Sequence, residues 1–99
     1  MVTEDIPHKR LVSRQKSFQP GYWVEREAHI ALHLLDLSEH GARAHSARPP
    51  AKGDVVLILC DIPLGRAIVR WVSKKTFGLE FAVPQTLETI VAVLDLPPR

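Results

Sequence analysis

The sequence is poor in cysteine and in aromatic residues. Its 99 residues include one cysteine, two tryptophans, one tyrosine and three phenylalanines. A single cysteine excludes a disulfide within the chain, and this usage is typical of a reducing compartment. Cys60 follows an apolar run that begins at Val55. We therefore expect Cys60 to be a small buried hydrophobic residue.

The chain also lacks a long hydrophobic run. No segment approaches the roughly 20 apolar residues that a membrane-spanning helix requires. The N-terminus, Met1-Val-Thr-Glu-Asp-Ile-Pro-His8, is too polar for a secretory signal peptide. The sequence therefore predicts a single cytoplasmic domain with no membrane partner.

A strong charge of either sign is missing as well. The net charge of +2 at pH 7 indicates a mild attraction to anions, which does not separate a nucleotide from nucleic acid or an acidic protein surface. The sequence contains no nucleophile and base at a recognisable spacing and no glycine-rich phosphate loop. We therefore expect a binding protein that carries no cofactor, and not an enzyme.

What the sequence has is a series of short strand patterns separated by turns. Apolar or alternating residues over 55–60, 65–73 and 76–82 are joined by short turns rich in glycine, proline and lysine. Successive hairpins of this kind form an antiparallel meander, which closes most economically as a barrel. In the second of these strands Trp71 shares one face with Ala67 and Val69, so we expect it in the core.

After Pro84 the hydrophobic period changes. Leu87, Ile90, Val91 and Leu94 recur at helical spacing until the proline pair near the C-terminus. This pattern predicts a helix over about residues 84–95 that covers one part of the barrel.

The stretch from Val24 to His40 fits two structures. Its apolar residues form one face of an amphipathic helix, and they also fit two strands over roughly 21–27 and 29–37 with a turn near Glu27. On a helix, His29 and His33 could share a metal ion. On a strand they would lie about 13 Å apart and could not. Without a second cysteine or a clustered carboxylate, we expect no metal site.

Two short motifs carry side chains suited to a nucleotide. Arg10-Leu-Val-Ser-Arg14 has two guanidiniums four residues apart, and Asp36-Leu-Ser38-Glu-His-Gly41 combines a carboxylate, a hydroxyl and a glycine. The spacing DxSxxG arises by chance in roughly 2% of chains of this length. Arginine forks pair with guanine and with phosphate oxygens, while a carboxylate accepts from the N–H edge of guanine.

Together these motifs resemble the RxxxR and DxSxxG signature of PilZ domains, small β-barrels that bind cyclic di-GMP. The resemblance continues to about residue 82 through Gly53–Leu59, Ala67–Trp71 and Gly78–Phe81. It implies an all-β fold: a six-stranded antiparallel β-barrel with a C-terminal α-helix. It also favours strands over the helix for residues 24–40. On this basis residues 10–99 form one PilZ-like domain after a flexible N-terminal arm over 1–9.

The resemblance also implies a ligand-binding set. By position it comprises Arg10, Arg14, Asp36, Ser38 and Gly41.

Two further candidates flank that set. Lys9 stands where many PilZ domains have another arginine; it keeps the charge but lacks the arginine fork. Arg43 would share a strand face with Gly41 and could reach a phosphate.

The implied function is that of a receptor that binds cyclic di-GMP and relays the signal to an unidentified downstream protein. One alternative is a PilZ-like interaction module that has lost nucleotide binding. Another is a small basic barrel that binds nucleic acid, which we do not favour because the sequence lacks a row of exposed aromatic residues for base stacking.

Overall fold

The computed structural model describes residues 15–95 of the chain, so the predicted N-terminal arm lies outside the described residues. Six strands precede one helix. Their bounds are β1, Gln15–Glu25; β2, Ala28–Leu37; β3, Gly41–His45; β4, Val55–Cys60; β5, Ile62–Ser73; β6, Thr76–Phe81; and α1, Leu87–Leu94.

The strands form one closed antiparallel barrel. The order around the cylinder is β1–β2–β3–β6–β5–β4, and the pairing of β1 with β4 closes it. All neighbouring strands are antiparallel. Closure gives each strand two hydrogen-bonded neighbours, which removes the exposed edges of an open sheet. The predicted six-stranded antiparallel barrel with a C-terminal helix is confirmed.

Residues 24–40 contain the end of β1, a turn, the whole of β2 and the start of the next turn, so the helical interpretation of this stretch is wrong. Arg26, with φ of 56°, occupies the turn between β1 and β2. In β2, Ile30, Leu32 and Leu34 are buried, while the residues between them are exposed or half-buried. This inside-outside alternation buries apolar area on one face only, which is how a strand of a small barrel fills the interior.

The core consists of the inward side chains of all six strands. Leu34, Ile58 and Phe77 are among those that are fully buried. Trp23 is also buried, and its indole Nε1 donates a hydrogen bond to the carbonyl of Arg48 at 3.0 Å. Cys60 is completely buried, as predicted.

Helix α1 packs its apolar side against the barrel. It begins after Thr86, whose hydroxyl accepts a hydrogen bond from the Thr89 N–H at 3.1 Å, as expected of an N-cap. Ile90 and Val93 are buried, and the helix contacts β1 and β5. The helix is slightly shorter than the predicted range of 84–95. In the part of the chain that the structure describes, no helix has the length and apolar character needed to cross a membrane.

Trp71 is not a core residue, contrary to the sequence-based expectation. The pairing of β5 with β6 shifts between Val69 and Trp71, and this bulge turns Trp71 to the outside. Its side chain is 42% exposed and lies directly over Gly78 of β6. A bulge adds one residue to a strand and so reverses the alternation after it.

Candidate functional site

Asp36 and Arg43 form an ion pair on the outer surface of the barrel. A bulge in β2 inserts Leu35 between two regular pairs, so that Asp36 lies opposite Arg43 of β3. Arg43 stands between the buried Ala42 and Ala44 and therefore points outward. Without the bulge, Asp36 would continue the inward series of β2; with it, Asp36 joins Arg43 on the outer face.

The carboxylate of Asp36 makes two contacts with Arg43. Asp36 Oδ1 accepts a hydrogen bond from the Arg43 backbone N–H at 3.1 Å. Asp36 Oδ2 lies 3.1 Å from Arg43 Nε, although that N–H is not aligned for a hydrogen bond. The Asp36 side chain is 5% exposed and that of Arg43 is 40% exposed. The guanidinium thus covers the carboxylate and keeps part of its own surface open to solvent.

Arg43 keeps hydrogen-bonding capacity for a ligand. Asp36 is the only partner of its guanidinium within residues 15–95. A guanidinium carries five N–H donors in a planar fork. The Nη groups can therefore meet an anion that approaches from outside the barrel.

Ser38 and Gly41 close the hairpin between β2 and β3. The Ser38 N–H donates to the Gly41 carbonyl at 2.8 Å, and the Ser38 hydroxyl donates to the same oxygen at 3.0 Å. The Gly41 N–H donates in return to the Ser38 hydroxyl at 3.3 Å. These mutual bonds hold the turn, so the hydroxyl has one accepting lone pair left for a ligand.

Gly41 is required by the packing of two strands. A Cβ at this position would overlap the backbone carbonyl of Leu79 in β6, which pairs with β3 at this point. Gly41 does not need the left-handed backbone that often selects glycine, because the positive φ values of glycines in residues 15–95 fall at Gly53 and Gly65. The close approach of Leu79 explains this glycine.

The arginines of the first motif, Arg10 and Arg14, lie outside the described residues, as does Lys9. The strand that follows them is described. Gln15 is the Cα partner of Leu37, and Lys16 is the partner of Asp36. Strand β1 therefore begins beside the start of the DxSxxG motif.

A concave surface next to the Asp36–Arg43 pair was not predicted from the sequence. We call it the Phe18 pocket; its lining residues are Phe18, His33, Leu35 and His45. The sequence signal for it is weak, because bulges in β1 and β2 interrupt the alternation that would identify outward residues.

The histidines of residues 15–95 belong to no cluster of potential metal ligands. His29 and His33 lie on one strand, where four residues span about 13 Å. No group of three or more histidine, cysteine, aspartate or glutamate side chains in residues 15–95 is placed to hold an ion.

Comparisons of the chain with models of protein families, with curated proteins and with solved structures found no significant match.

Proposed function

We propose that this protein is a receptor for cyclic di-GMP that relays the second-messenger signal to a partner protein. The observation that carries the proposal is the pairing of β1 with β2. It places Gln15, the first residue of β1, opposite Leu37, the second residue of the DxSxxG motif. In the proposal, the RxxxR motif that precedes Gln15 in sequence lies with the DxSxxG motif at one surface of the barrel, beside the partly exposed Arg43.

The chemistry of this surface suits a ligand with two guanines and two phosphates. In the proposal, Arg10 and Arg14 supply forks that pair with guanine O6 and N7 or with phosphate oxygens. Arg43 adds a third guanidinium beside the motif, and Lys9 a further charge. Asp36, Ser38 and Gly41 shape the turn against which the ligand lies.

Asp36 and Ser38 would act mainly by holding this surface in place. The carboxylate of Asp36 is buried beneath Arg43, so it orients the guanidinium toward solvent. Positioning of this kind reduces the side-chain entropy that a flexible arginine would lose on binding. The remaining lone pair of Ser38 can accept a hydrogen bond from a guanine amine.

A second candidate is a PilZ-like module that binds a protein and no nucleotide. One observation favours it: Asp36, Ser38 and Gly41 all have structural roles within the barrel. These roles account for the three motif residues without a ligand. The two candidates differ in whether the free protein binds cyclic di-GMP.

Calorimetric titration of the full chain with cyclic di-GMP separates them. We expect a Kd in the micromolar range or tighter, with GMP showing no heat at the same concentration. Absence of heat and of chemical-shift changes at about a hundred micromolar cyclic di-GMP would contradict the receptor proposal and favour the interaction module.

A matched pair of arginine variants tests where the ligand binds. Arg14→Ala removes one positive charge from the first motif and should abolish most binding. Arg66→Ala removes the same charge from an exposed position on β5, which pairs with β4 on the far side of the barrel. Arg66→Ala should bind almost as wild type. Equal losses in both variants would indicate non-specific attraction by net charge.

A further inference from the structure

The Phe18 pocket has an unusual lining for an outer barrel surface. It is a concavity of about 250 Å³ between Phe18 of β1, His33 and Leu35 of β2, and His45 of β3. Phe18 is 73% exposed, so it leaves most of its ring in water. Its ring centroid lies 5.7 Å from that of His33, with the planes tilted by 36°. The rings form one wall that is apolar and open to solvent.

Two imidazoles line this pocket. His33 and His45 are direct Cα partners across β2 and β3, and both are exposed. Directly opposed residues on neighbouring strands hold their Cβ atoms about 4.5–5.5 Å apart. The pocket therefore combines aromatic faces with ring nitrogens that can exchange hydrogen bonds with a ligand.

The pocket is continuous with the Asp36–Arg43 pair. Leu35, the bulge residue, precedes Asp36 in the chain. His45 and Arg43 occupy outward positions two residues apart on β3, a separation of about 6–7 Å. A ligand whose anionic group contacts the Arg43 guanidinium can therefore extend a ring into the pocket.

We propose that the Phe18 pocket is a stacking site for one purine base of the nucleotide ligand. This inference rests on the proposed function and extends it from the motif residues to Phe18, His33 and His45. Bases stack on phenylalanine and histidine rings in many nucleic-acid-binding proteins. Pockets that hold a whole drug-sized ligand measure roughly 300–1,000 Å³. The Phe18 pocket, at about 250 Å³, therefore has room for a single base and not for the whole dinucleotide.

Charge supports a nucleotide as the occupant. The polar group beside the pocket is a partly exposed guanidinium, and its fork matches a phosphate. An apolar side chain of a protein partner would fill the pocket without using Arg43. This occupant is the competing outcome of the test.

The test compares Phe18→Leu, which removes the aromatic face and keeps an apolar side chain, with Phe18→Tyr, which keeps the ring. Cyclic di-GMP is the probe, and calorimetry of the full chain gives its Kd. Stacking on aromatic side chains predicts that Phe18→Leu weakens binding about 5- to 150-fold. Phe18→Tyr should stay within about threefold of wild type. Because Phe18 is mostly exposed, equal melting temperatures should show that both variants fold.

Tyr22→Leu is the matched control. Tyr22 is another exposed aromatic residue of β1; it contacts His29 and does not line the Phe18 pocket. Its substitution should leave the Kd within about twofold of wild type. The guanine H8 protons should shift upfield on binding to wild type and to Phe18→Tyr, and less on binding to Phe18→Leu.

The outcomes separate this inference from the proposed function. If wild type and Phe18→Leu bind cyclic di-GMP equally, the receptor proposal stands and the stacking site is wrong. Equal weakening by Phe18→Leu and Tyr22→Leu also overturns the stacking site, because the loss would then not be specific to the pocket. If wild type does not bind cyclic di-GMP, both proposals fail.

Discussion

Replacement of Asp36 by alanine should destabilise the barrel as well as weaken ligand binding. The substitution removes the acceptor of the Arg43 backbone N–H and the partner of a guanidinium. Loss of a hydrogen-bond partner for a buried polar group costs about 1–3 kcal/mol. The Arg43 side chain is 40% exposed, so water can hydrate its guanidinium when Asp36 is absent. Loss of the ion pair therefore adds at most about 1 kcal/mol to the cost of the substitution. We expect the free energy of unfolding to fall by about 1–4 kcal/mol.

Two further variants test whether the stabilising effect of Asp36 depends on its burial or on a short distance between the charged atoms. The Arg70–Glu80 pair is shorter, at 2.6 Å between Arg70 Nε and Glu80 Oε1, but both side chains are more than half exposed. Exposed pairs contribute about 0.2–1 kcal/mol, so Glu80→Ala should cost less than Asp36→Ala. Asp36→Asn keeps an acceptor for the backbone N–H and should fall between the two.

Urea unfolding measured by tryptophan fluorescence provides the assay, since Trp23 is buried in the core. A double-mutant cycle with Arg43→Ala should give a coupling energy of at most about 1 kcal/mol, because this variant removes the ion pair and keeps the backbone N–H that donates to Asp36. If Asp36→Ala stays within about 0.5 kcal/mol of wild type, or if Glu80→Ala costs as much, the structural role assigned to Asp36 is wrong. The result also decides the temperature at which Asp36 variants can be compared for binding.

Three further predictions concern the thiol, the glycines and the overall fold. Burial, with a smaller effect of Asp61, raises the pKa of the Cys60 thiol to about 12, so a thiol reagent at pH 8 should label Cys60 only through unfolding. The stability that this raised pKa contributes is fully present below about pH 9, the pKa of the unfolded state, and is lost as the pH rises toward 12. The free energy of unfolding measured in urea should therefore fall across this window, by up to about 1.4 kcal/mol per pH unit. Gly41→Ala should lower the free energy of unfolding in urea by about 1–3 kcal/mol, because the new Cβ meets the backbone of Leu79. Gly78→Ala should cost less, because the exposed Trp71 ring above Gly78 can move aside, which should change the tryptophan fluorescence. Far-UV circular dichroism should show mostly β-structure with a short helix, and a helical signal near a third of the chain would contradict the fold.

Much of the fold could be predicted from the sequence because its determinants are local. The alternation in β5 and β6, the turn at Lys74-Lys75 and the helical spacing after Pro84 depend on residues a few positions apart. The stretch over 24–40 is different, since its residues satisfy a helical and a strand period equally well. Its many alanine, leucine and glutamate residues have a slightly higher propensity for a helix, whereas pairing with β3 and β4 around a closed barrel requires strands.

For the candidate site, the sequence by itself determined which chemical groups are available: a carboxylate, a hydroxyl, a glycine and basic side chains at a motif spacing. Only the tertiary structure decided which way they face and what they contact. The bulge at Leu35 turns Asp36 outward beneath Arg43, and the bulge before Trp71 turns that residue out of the core. The carbonyl of Leu79, distant in sequence, explains Gly41. A bulge reverses every later position of its strand, and its place is set by the register of the neighbouring strands, so no pattern within the strand itself reveals it.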